Sequence, residues 1–151
     1  MKALKNFRLI VFAITLIATS AFAAQRSEIE ATYAKWSRLM MAQDWRGARS
    51  MMAPIYYLVD LNGRQVPLGE VDASVRTFLT SSRDLNVRVA VRELHPSDVD
   101  ECVAWVTITM TYQSRHNGTW VPMRQTINRV DTLRKTAAGW EFTYSQTVRQ
   151  F

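Results

Sequence analysis

Four polar residues stand where a wall of apolar side chains is expected: Gln125, Arg129, Asp131 and Gln146. In "WVPMRQTINRVDTLRK" alternation puts Val121, Met123, Ile127 and Leu133 on one face, and Gln125, Arg129 and Asp131 share their parity. In "GWEFTYSQTV" the apolar set is Trp140, Phe142, Tyr144 and Val148, which carries Gln146 with it. A buried unpaired charge costs several kcal/mol, so such groups must pair, meet water or line a cavity. Arg129 and Asp131, two apart, suit a charge-assisted pair within the face. The alternative is a bulge in this long strand that flips the parity and puts both in solvent. A few polar groups in an apolar wall are what orients a small hydrophobic molecule.

Other chemistry is thin. His95 stands before Pro96 at a strand end and His116 lies in "SRHNG", so both read as loop residues without a catalytic role. With scattered histidines and one cysteine, no zinc-ligand spacing arises, and neither a nucleophile elbow nor a glycine-rich phosphate loop is present. No metal and no cofactor are therefore expected. Cys102 opens the apolar run "CVAWVTITM" and reads as a small buried side chain, the alternative being an intermolecular bridge or a reactive thiol. Asn117-Gly118-Thr119 matches a glycosylation sequon, but a hairpin turn explains it.

The elements that must position these residues follow from periodicity. Ile29, Tyr33, Trp36 and Met40 line one face of a helix predicted over about 28–42, and Ser27 with Glu30 forms a capping box at its start. Asp44 can cap a second helix, "WRGARSMM", ended by Pro54. "IYYLVDL" and "RQVPL" flank Asn62-Gly63 as a hairpin, and Val71, Val75, Phe78 and Leu79 stripe a third helix that exits through "TSSRD". A shorter strand, "NVRVAVREL", then leads into three long ones joined at Asn117-Gly118 and Ala138-Gly139, an antiparallel curved meander. On "CVAWVTITMTY" the even set from Ala104 to Tyr112 faces inward, while Val103 and Trp105 face outward among threonines. Arg88, Arg92, Arg124 and Arg134 make an outward basic stripe, ordinary as solvated surface.

The N-terminus reads as a cleavable secretory signal peptide: Lys2, Lys5 and Arg8, an uncharged run from Leu9 to Ala18, then Ala21-Phe22-Ala23. The uncharged segment, Leu9–Ala24, is shorter than the roughly 20 apolar residues of a spanning helix, which argues against a retained anchor. The remaining segment, 24–151, is one domain's length and keeps 16 basic against 13 acidic residues, a balance too small and too scattered to argue for nucleic acid. A secreted or periplasmic destination follows, with no internal disulfide from a lone cysteine.

The order helix, helix, hairpin, helix, long strands, closing in "RVDTLRKTAAGWEFTYSQT", resembles the nuclear transport factor 2-like superfamily in its secreted polyketide-cyclase-like branch, over nearly all of 24–151. The resemblance implies an α+β, cystatin-like, cone-shaped roll: three N-terminal helices packed in a strongly curved antiparallel sheet with an apolar pocket at the open end. It implies that Trp140, Phe142 and Tyr144 look towards Tyr33 and Trp36, and that Tyr57 and Tyr112 join the polar quartet in lining the pocket. Members that catalyse ring closure, isomerisation or dehydration use a pocket carboxylate, which here points to Asp131 or Asp60 as base with Tyr144 or Arg129 as partner. No isomerase or epoxide-hydrolase residue pattern matches position by position. The superfamily's convex sheet face often forms dimers, so a homodimer anchored by Val103 and Trp105 is the expected rival to an exported small-molecule-binding protein.

Overall fold

The fold is that of a computed structural model, whose backbone is described over residues 2–150 and whose side chains are described from Ala21 to Gln150. The run Leu9–Ala18, on which the signal-peptide reading rests, lies outside the described side chains. Helix α1 spans Lys2–Met41 and buries Ile29, Tyr33, Trp36 and Met40, the stripe that spacing predicted. It does not start at Glu28. No glycine or proline interrupts 2–41, so the helix runs through Ser27, and Glu30 pairs back to Arg26 at 2.9 Å instead of closing a capping box.

Asp44 accepts from the Gly47 amide at 2.9 Å and caps α2, Trp45–Arg49. This helix is shorter than expected, because Met52 already opens strand β1, Met52–Val59. Pro54 falls inside that strand, where the ladder is interrupted between Met52 and Tyr57 and a missing N–H is tolerated. A turn with Gly63 at φ 79 leads to β2, Gln65–Pro67, and then to α3, Leu68–Ser81. The long strands are β3, Ser82–Asp98, β4, Glu101–His116, and β5, Thr119–Thr136, with β6, Gly139–Val148, the shortest of the four. His95 and Pro96 thus sit in β3 rather than in a loop, and His116 ends β4. The turn between β4 and β5 has Asn117 and Gly118 at φ 47 and 85, the left-handed pair that a tight hairpin demands.

The sheet order is β2-β1-β6-β5-β4-β3. It is mixed, not purely antiparallel, because β1 and β6 run parallel. The meander enters at the far edge after α3 and works back, so its last strand meets the first pointing the same way, a pairing only a long crossover allows. Register shifts bend β3 against β4 between Arg83 and Asn86, Val91 and Glu93, and Pro96 and Asp98. One more shift governs everything below: Leu133 pairs Phe142 but Thr132 pairs Tyr144, which leaves Thr143 as an extra residue in β6. The curved sheet closes on α1, with Tyr33 edge-on to Phe142 at 5.3 Å and Leu133, Ile108 and Cys102 among the fully buried side chains. Leu133→Ala is expected to lower unfolding free energy by about 2–5 kcal/mol; a urea titration showing a loss within error of zero would mean that Leu133 is not a core support.

Candidate functional site

Asp131 has no exposed surface, and three elements supply its partners. From its own strand, Arg129 Nη2 donates to Oδ2 at 2.9 Å. From α1, the Tyr33 hydroxyl donates to Oδ2 at 2.7 Å. From β6, Ser145 donates to Oδ1 at 2.6 Å. Arg129 Nε lies 2.6 Å from Oδ1 but out of line with its own N–H, so that contact is ionic and not a hydrogen bond. Tyr56 is buried on β1, close enough for the charges of Arg129 and Asp131 to act on its hydroxyl.

The electrostatics agree with this geometry. Burial opposes the Arg129 charge, yet the Asp131 carboxylate outweighs it and raises the guanidinium pKa. Burial, reinforced by the charge of Asp131, pushes the Tyr33 hydroxyl well above the ordinary tyrosine value. Burial alone leads the rise at Tyr56. With donors on both oxygens, Asp131 is an acceptor already filled rather than a free base. The pair of Arg129 and Asp131 stands as spacing anticipated, and β5 carries no bulge between them.

Of the other predicted positions only Trp36 gathers here, buried with the Arg129 guanidinium carbon 5.7 Å from its ring centroid. Gln125 has the inward parity but is exposed, since the outer half of β5 runs past the core and leaves Met123 44% exposed as well. Tyr112 is half-buried against Phe78, ring centroids 4.9 Å apart. Tyr144 and Gln146 correct the inward assignment of the last strand. The extra Thr143 reverses parity, so Ser145 turns in while Tyr144 and Gln146 turn out and bond to each other at 3.0 Å. Tyr57 pairs with Tyr144 on that outer face, ring centroids 5.0 Å apart. Asp60 is held in the hairpin by the Asn62 and Arg64 amides, and these bonds, led by Arg64, lower its pKa. It is remote from the Asp131 network in the hydrogen-bond pattern.

Ser145 and Tyr56 were not anticipated. Nothing in local sequence marks the bulge that brings Ser145 inward, whereas alternation from Leu58 would have selected Tyr56 over Tyr57. Cys102 is fully buried, and burial raises its thiol pKa. Among the described residues no three carboxylate, imidazole or thiol groups are placed to share a metal ion. One surface depression of about 440 Å³ is bordered by Phe22, Glu28, Val99 and Trp140, and another of about 580 Å³ by Leu61, Gln125, Ile127 and Arg149. Arg129 and Asp131 line neither.

No family model matches the chain, and no curated protein matches its sequence. Solved structures do. A nuclear transport factor 2-like protein with a cystatin-like fold from Novosphingobium aromaticivorans aligns at 14% identity over 88% of this chain and 86% of that one, TM-score 0.62. A conserved protein from Planctomyces limnophilus aligns at 11% identity over 83% and 96%, TM-score 0.69. A ketosteroid isomerase-like protein from Erwinia carotovora atroseptica aligns at 15% identity over 81% and 93%, TM-score 0.64. These likenesses establish a cystatin-like, nuclear transport factor 2-like fold.

Asp131→Asn strands Arg129 in the interior and is expected to cost about 3–5 kcal/mol of stability, read by urea denaturation at neutral pH. The raised Tyr33 pKa adds a pH signature. Its stabilisation is complete below the unfolded value of about 10 and is lost as pH rises from there towards the folded value. Stability should therefore fall above about pH 10, and Tyr33→Phe, weaker at pH 8, should fall less steeply. Parallel curves for the two proteins would deny Tyr33 that role.

Proposed function

We propose that this chain is a self-associating scaffold of nuclear transport factor 2-like fold, joined through its convex sheet face. One observation carries the proposal: the extra residue in β6 turns Tyr144, Gln146 and Val148 outward, in register with outward residues of β1, β5 and β4. Across the sheet Tyr57 meets Tyr144, then Thr132, then Val103, and the next row runs Val59, Gln146, Val130, Trp105. Tyr57 keeps 36% of its surface exposed, and Trp105 is half-buried with His95 against its ring at 5.6 Å. Partly exposed aromatic and aliphatic side chains ringed by threonine and glutamine have the make-up of an interface centre. A face of this kind suits a twofold contact, in which each copy offers the same patch. The bacterial envelope is the destination in this proposal, supported by the N-terminal sequence alone.

A second reading, a small apolar molecule seated on the concave side, is supported by Arg129. Its side chain keeps 12% exposure, beside half-buried Ile127 and above exposed Gln125 on the same strand face. Acid–base catalysis is not part of the proposal, because Asp131 would first have to give up Tyr33 and Ser145.

Sedimentation of residues 24–151 at tens of micromolar is expected to show a dimer. Val130→Arg and Tyr144→Glu should each yield a folded monomer with the circular dichroism of the parent. A monomeric parent at that concentration removes the scaffold reading. Independently, a thermal-shift screen of steroid-, polyketide- and terpenoid-like compounds tests the concave side, where a bound ligand raises the melting temperature by mass action.

A further inference from the structure

We infer that the open edge of β5, over residues 119–127, is a docking site for an extended acidic peptide, which adds to the sheet as a strand in line with β6. The site is distinct from the convex face and from the concave side, and it stands or falls apart from both readings. It follows from a difference in strand length. β5 pairs with β4 without a register shift from Thr119 to Arg134, whereas β6 pairs with β5 only from Asn128 onward and ends there at Val148. Among the described residues no strand pairs with 119–127 on the β6 side. Register then identifies the open groups. Asn117 and Gly118 make a two-residue turn closed by His116 opposite Thr119, so the odd-numbered residues of β5 exchange hydrogen bonds with β4 and the even-numbered ones point away from it. The Lys135 amide fits that parity, donating to the Asp100 carbonyl, just before β4, at 2.7 Å. Arg124 and Thr126 therefore present both N–H and C=O at the open edge. Pro122 falls in the same row, where it has no N–H to leave unpaired.

Space and charge select the occupant. The inner end of this edge borders the depression of about 580 Å³, in which Leu61 and Asn62 face Gln125 and Ile127. Val121, Met123 and Leu61 are all exposed beside it. An added strand would cover Val121 and Met123 with side chains of one parity while its main chain completed the bonds of Arg124 and Thr126. The side chains of its other parity would lie beside Arg124, which is exposed and has no ionic partner among the described residues. Arg149, at the end of β6, is exposed as well, and Asp60 in the hairpin turn before β2 is engaged by Arg64 at 3.3 Å. Residues 119–127 contain no carboxylate, so a second copy laid edge to edge would bring arginine without a counter-charge. Pro122 and Arg124 thus guard the edge against self-pairing, while acidic side chains answer Arg124.

The test is amide hydrogen exchange on the ¹⁵N-labelled protein, alone and with a short peptide of alternating glutamate and valine, against the same peptide with lysine in place of glutamate. In the free protein the amides of Arg124 and Thr126 should exchange fast and those of Met123 and Gln125 slowly. The glutamate peptide should slow Arg124 and Thr126 by about tenfold or more, and the lysine peptide should leave them unchanged. Thr126→Pro removes an open N–H without touching the β4 ladder and should abolish binding. Arg124→Glu should shift the preference to the lysine peptide. Should either variant fail to fold, the two peptides on the unaltered protein decide alone. Protection of Arg124 and Thr126 in the dilute free protein, no response to the glutamate peptide, or an equal response to both peptides would each overturn the site. Protection that grows with protein concentration alone would overturn it too, by assigning the edge to another copy of this chain.

Discussion

A carboxylate with no access to water must find its partners inside the protein, and Asp131 recruits them from three separate elements. Tyr33 comes from the first helix, Ser145 from the last strand and Arg129 from its own strand. Desolvating such a charge is expensive, so the fold is constrained to bring all of these groups within hydrogen-bond distance at once. That constraint fixes the rotation of α1 about its axis and the register of β6 against β5. Hydrophobic burial alone would tolerate small slips in either; a filled carboxylate does not.

The single extra residue in β6 serves both faces of the sheet. Inward, it exchanges Tyr144 for Ser145, a side chain short enough to fit beside Asp131. Outward, it places Tyr144 against Tyr57 and beside the Val130 and Trp105 row. A bulge bends its strand as well as reversing its parity, so the same feature helps wrap the sheet around α1. Core chemistry and surface character are thus coupled by one backbone irregularity.

Helix α1 is secured near its other end by Glu28, which accepts from Lys135 Nζ at 2.8 Å and from Trp140 Nε1 at 2.9 Å. Those bonds, Lys135 first, lower the Glu28 pKa. Arg26 adds a bond to the Val91 carbonyl on β3 at 3.2 Å. The helix is thus held by β3, β5 and β6. Among the described residues, Trp36 Nε1 and Arg129 Nε are the buried side-chain donors without a hydrogen-bond partner in the protein.

Much of this architecture was legible in the order of residues, because local periodicity is a local property. The stripe of Ile29, Tyr33, Trp36 and Met40, the Asp44 cap, the Asn117-Gly118 turn, the inward face of β4 and the pairing of Arg129 with Asp131 all follow from spacing within one element. Three features did not. The parallel meeting of β1 with β6 depends on where a distant strand arrives, the helix start depends on the absence of anything to stop it, and the Thr143 bulge depends on what Ser145 finds across the sheet. A one-residue slip of parity costs nothing in the sequence and is decided by long-range contacts in the folded chain. Composition and alternation thus determined an α+β domain with a charged pair on the apolar parity of one strand, either inward or, with a bulge, in solvent; only tertiary structure decided that the carboxylate would be sealed, because sealing it requires donors that lie far apart along the chain.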